Sequence, residues 1–135
     1  MEKPANSRLE QNIGGSYVLG NPEDEMIEET IGKLESKISG SEAINEERRR
    51  ELLQLLDTLK AEVTSLSRTH EDVAKSIAGF AELSAHEATK IPQNPELLSI
   101  SLKGLSSSVA GFERSHPRLV QIVNTVSNTL SNLGI

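Results

Sequence analysis

Apolar residues recur through this chain at alternating spacings of four and three, and nothing in it reads as a strand. Leu52, Leu56, Leu59, Val63 and Leu66 form one stripe, Leu98, Leu102, Leu105, Val109 and Phe112 a second, and Leu119, Val123, Val126, Leu130 and Leu133 a third. A repeat near 3.6 residues puts each set on one face of an α-helix. Ile27, Ile31, Leu34 and Ile38 make a shorter stripe, and Val73, Ile77, Phe80 and Leu83 a looser one. The pattern predicts an all-α fold: four to five helices forming a helical bundle with coiled-coil-like hairpins, its core built on the stripes at 52–66, 98–112 and 119–133.

Stop and start signals divide the stripes. Asn21, Pro22 and the acidic Glu23, Asp24 and Glu25 suit a helix start, where a capping side chain, a fixed φ and negative charge all help. Gly40 suits its end. Thr69 is placed to cap a third helix, which fades before Pro92, Asn94 and Pro95. Asn94 and Pro95 open a fourth. His116 and Pro117 redirect the chain, since a residue before proline is pushed out of the α region; Ser115, His116 and Pro117 thus read as a structural corner, with Ser115 or His116 capping the last helix. The expected helices are about 22–39, 45–68, 70–86, 95–114 and 117–133, within a single helical domain over 21–135. Residues 1–20, rich in Gly, Ser, Asn and Pro, read as a flexible N-terminal tail. "SIAGF" at 76–80 returns as "SVAGF" at 108–112. Both glycines would sit on helices, where a missing side chain admits a close crossing, and either chance or a repeated unit accounts for the echo.

Aromatic residues are limited to Tyr17, Phe80 and Phe112, so any core is aliphatic. There is no cysteine, which excludes disulfides and thiolate chemistry. A net charge of −6 disfavours nucleic acid and anionic membrane as partners. The first 20 residues lack the basic-then-apolar profile of a signal peptide. No apolar run nears the roughly 20 residues that span a bilayer. A cytoplasmic protein is expected.

Catalytic signals are sparse. "EERRRE" at 46–51 interleaves its arginines with glutamates at helical pair spacings, Glu46 and Glu47 with Arg50, and reads as a solvated helix face. His86 and Glu87 lack the second histidine a helical zinc site needs, and His70 with Glu71 and Asp72 reads as a capping cluster. Gly14–Gly15 is not followed by the Lys and Ser/Thr of a phosphate loop. No cofactor, metal or enzymatic activity is expected. An alternative is a small-molecule-binding or weak hydrolytic site around Ser115 and His116, which would need a third polar group such as His86 or Glu87.

Charge is distributed unevenly. Residues 23–68 carry 12 acidic and 7 basic side chains, whereas 94–135 carry only Glu96, Glu113, Lys103, Arg114 and Arg118. Past Arg118 the polar positions of the last helix are Asn, Ser, Thr and Gln, with Asn124, Asn128 and Asn132 in a row at spacing four, able to bond across helices. A covered surface explains this better than a bare one. The candidate interaction surface is Val120, Asn124, Ser127, Asn128, Ser131 and Asn132. The expected protein is a non-enzymatic scaffold, adaptor or regulatory protein working by helix–helix contacts, self-associating as a homo-oligomer with a dimer favoured, and with room for a protein partner.

The C-terminal stretch "FERSHPRLVQIVNTVSNTLSNLGI" resembles the signature of a family of small bacterial proteins catalogued as domain of unknown function 4404. The resemblance rests on Phe112, Glu113, Ser115, His116, Pro117, Leu130, Ser131, Asn132, Leu133, Gly134 and Ile135. Residues 26–66 are similar to the family's N-terminal half only generically, and 69–95 resembles an inserted helix. What it implies is a compact bacterial helical domain, without catalytic or ligand residues.

Overall fold

The computed structural model describes residues 22–133; the expected tail, with Tyr17, lies outside them, as do Gly134 and Ile135 of the closing motif. Five helices follow in order: α1 (Pro22–Gly40), α2 (Glu46–Ser67), α3 (Glu71–Thr89), α4 (Pro95–Ser108) and α5 (Pro117–Asn132). There is no strand among the described residues.

α3 is the centre. It packs against each of the other four helices, α2 against α1 and α5, and α5 against α4. The arc α1–α2–α5–α4 thus wraps α3 and stays open between α1 and α4, which do not touch. α3 meets so many neighbours because its inner surface is small: Ala74, Ala78, Ala81, Ala85 and Ala88 are buried around Ile77. Short side chains let helix axes approach closely. α1 contributes Ile27, Ile31, Leu34 and Ile38, all fully buried. The core therefore extends beyond the stripes at 52–66, 98–112 and 119–133, and α1 and α3 bear as much of it. Ranking helices by large apolar residues undervalued a helix that packs through alanine.

Two helix starts follow their sequence signals. Asn45 Oδ1 accepts the Arg48 amide at 2.8 Å, and Asn94 Oδ1 accepts those of Glu96 and Leu97 at 3.1 Å each. Two others differ. The residues at the starts of α3 and α5 are His70 and His116, and neither side chain makes a capping bond. Thr69, expected to cap α3, turns its hydroxyl to the His70 ring instead.

α4 stops at Ser108, short of the expected 114. The amides of Val109 and Ala110 bond three residues back, to Ser106 and Ser107, tightening the last turn, and Gly111 then takes a φ of 94°. That left-handed conformation is open to glycine at little cost. The echoed pentapeptides thus have different structures, since 76–80 lies within α3 whereas 108–112 leaves α4 after Ser108 and turns. Gly79 has open space around it. The close approach falls at Gly104 on α4, where an added Cβ would collide with the Phe80 ring.

Arg49 is the departure from the solvated reading of 46–51. Its side chain is 22% exposed. The guanidinium donates to the carbonyls of Ile38 at 3.3 Å, Ile44 at 2.9 Å and Ser41, and pairs with Glu46 Oε1 at 2.8 Å. The planar fork closes the carbonyl end of α1 and fixes the α1–α2 corner, which the point charge of a lysine cannot reproduce. Arg49→Ala should lower the unfolding free energy by about 1–3 kcal/mol in urea titration, and Arg49→Lys should recover only part of the loss.

Candidate functional site

α5 begins with Pro117, whose missing amide hydrogen costs nothing in a first turn. Leu119, Val123, Val126 and Leu130 bury its inner stripe completely. Arg118, its one charged residue, approaches Glu62 of α2 at 3.5 Å. The residues expected to form an interaction surface separate into three groups. Val120 is half-buried against the core. Asn124 and Asn132 are exposed, away from the groove described below. Ser127, Asn128 and Ser131 line an open groove between α5 and α4. The asparagine row makes no hydrogen bond to another helix among the described residues, so the expected interhelical ladder is absent within one copy. Thr125 and Thr129 instead donate to the carbonyls one turn earlier.

The groove has a volume of about 570 Å³. Leu98 and Leu102 supply its apolar lining, while α4 contributes Ser99, Ser106 and Ser107. Among the described residues Lys103 is the only charged side chain on its walls. Ser127 is 9% exposed, and its hydroxyl has no partner. In a chain of net charge −6, this is a hydroxyl-lined face with no acidic group among the described residues. It offers shape and hydrogen bonding to another surface.

On the other side of the groove α4 presents apolar side chains to solvent. Ile100 is 60% exposed, and Leu97 is also exposed. Phe80 and Leu83 of α3 are exposed as well, with the Phe80 ring lying over Gly104. The candidate surface thus continues across α4 onto α3, which the α5 pattern alone did not suggest.

The Ser115–His116 corner was the other candidate. Ser115 Oγ and His116 Nδ1 are 2.9 Å apart. Their neighbour is not the expected His86 or Glu87. His86 faces Lys37 of α1 at 3.3 Å, and the buried Glu87 pairs with Lys90 at 3.0 Å. Both lie near the far end of α3, roughly 24 Å from its start at about 1.5 Å per residue. The ring beside His116 is that of His70, 5.9 Å away and nearly perpendicular, with Phe112 5.2 Å from His70 and 5.5 Å from His116.

The two histidines are structural counterparts. Each precedes a helix with similar backbone angles, φ/ψ −138/68 at His70 and −139/63 at His116, and each has its Nδ1 beside the hydroxyl of the preceding Thr or Ser. The sequence signal was a hydroxyl residue followed by His at two helix starts. Glu113 is occupied with the Gly111 amide at 3.0 Å. Among the described residues no group of three His, Asp or Glu is placed to hold a metal. The ring cluster fastens the α2–α3 corner to the α4–α5 corner.

A model of the family described as "Domain of unknown function (DUF4404)" matches residues 64–135. The match takes in both histidine corners and the groove, and it runs through 69–95, the segment that resembled an insertion. It leaves out residues 26–63, whose likeness was generic. No curated protein and no solved structure matches the chain. No helix among the described residues is long and apolar enough to cross a membrane.

The ring cluster should be energetically coupled. A double-mutant cycle of His70→Ala with Phe112→Leu, followed by chemical denaturation, should return an interaction of about 0.5–1.5 kcal/mol, in the range of edge-to-face aromatic pairs.

Proposed function

The chain belongs to the family of the domain of unknown function 4404, whose description carries no activity, and we propose on the geometry that it is a non-enzymatic helical scaffold, adaptor or regulatory protein that acts through helix–helix contacts and self-association. The observation that carries this reading is the α4–α5 face, where among the described residues Lys103 alone brings a charge to the groove while the chain as a whole has a net charge of −6. Interfaces are depleted of charge at their centres because burying an ion is costly, whereas neutral hydroxyls and amides can exchange water for a partner's groups. The exposed Ile100 beside the groove agrees with a surface that is covered in the working state.

The test is the Asn128→Glu, Ser131→Glu double variant, both on the wall of the groove. Both side chains are exposed, so the fold should be kept. Light scattering should show assembly weakened relative to the wild type, and unchanged assembly would mean this part of the α5 face is merely solvated.

A further inference from the structure

α4 contains two charged residues, Glu96 and Lys103. Glu96, Ile100, Lys103 and Ser107 follow at spacings of four, three and four, so they share one helix face, and all four are exposed. Neither charge has an ion-pair partner among the described residues. Ile100 lies between them, with Leu97 beside it and Phe80 and Leu83 adjoining from α3.

This layout is complementary to its own reverse. Glu96 stands about 6 Å along the axis on one side of Ile100, and Lys103 about 4.5 Å on the other, at 1.5 Å per residue. A two-fold axis beside Ile100 brings the Lys103 of a second copy to within about 1.5 Å of the level of Glu96. The symmetry makes that pairing twice and sets Ile100 against its counterpart at the centre. A parallel arrangement would set like charges together.

The acidic part of the surface disfavours a symmetric contact. An isologous interface presents each face to itself, so a charge-rich face repels its copy. α1 and α2 carry most of the chain's acidic residues. The α4 face is neutral in sum and apolar in the middle.

We propose that the chain forms an isologous dimer in which α4 packs antiparallel against α4 of a second copy, centred on Ile100, flanked by Leu97, Phe80 and Leu83, and registered by two reciprocal Glu96–Lys103 pairs. This rests on the self-association reading above and names its partner and geometry. The dimer would leave each α4–α5 groove at the edge of the contact.

Charge reversal tests it. Sedimentation equilibrium at low salt would be run on the full chain as wild type, Glu96→Lys, Lys103→Glu, the two reversals combined, and Ile100→Ser, with helical content checked by circular dichroism. The wild type should be a dimer. Each single reversal turns two attractions into two repulsions and should weaken association about tenfold or more. The combined reversal restores opposite charges and should recover wild-type association, while Ile100→Ser should weaken it without recovery. Should a single reversal lose helicity, the combined reversal and Ile100→Ser decide the matter. A dimer indifferent to both single reversals would overturn the α4 geometry and leave self-association standing. A wild type that stays monomeric to high micromolar concentration would overturn self-association itself.

Discussion

Four helices can converge on a fifth only if the fifth offers them little side chain. α3 does this with five buried alanines around Ile77, and the other helices take their places accordingly. With almost no aromatic residues available, the chain cannot fill wide gaps with rings, so it closes the gaps by bringing axes together. The aliphatic stripes of α1, α2 and α5 then reach across short distances and bury completely. The same economy leaves α3 and α4 with a flank that no other helix covers, because the arc of helices does not close between α1 and α4.

Much of this was legible in the sequence, because the signals are local. The apolar stripes located all five helices, and asparagine caps and prolines set several starts. The weighting of the core was not legible. Alanine gives a weak periodic signal, and its value at α3 depends on neighbours distant in the chain. The end of α4 was hidden because the turn after Ser108 keeps Val109 buried and Phe112 half-buried, so the period runs on through a stretch that is no longer helical. Arg49 was hidden for another reason. Its partners are backbone carbonyls, which have no residue identity to read.

The two surface candidates fared differently. The charge deficit of the C-terminal half pointed to α4 and α5, and both line the groove. The asparagine row lies on α5 alone, whereas the groove that Asn128 lines is also walled by serines of α4. The Ser115–His116 pair is close in space, yet its company is aromatic. His70 meets Phe112 and His116 from another corner, so three residues scattered over 47 positions act as one fastening between two turns. The family match spans all three.

Gly104 has a wider effect than its own turn of helix. With no side chain there, the Phe80 ring settles onto the α4 backbone and remains 37% exposed. A residue of any size at 104 would lift the ring, raising the apolar relief on that side without adding or removing a single surface group. The contour of the exposed face is therefore set from below, by a half-buried position under the ring, and sequence drift at that one glycine retunes which surfaces fit against it while the exposed residues stay the same.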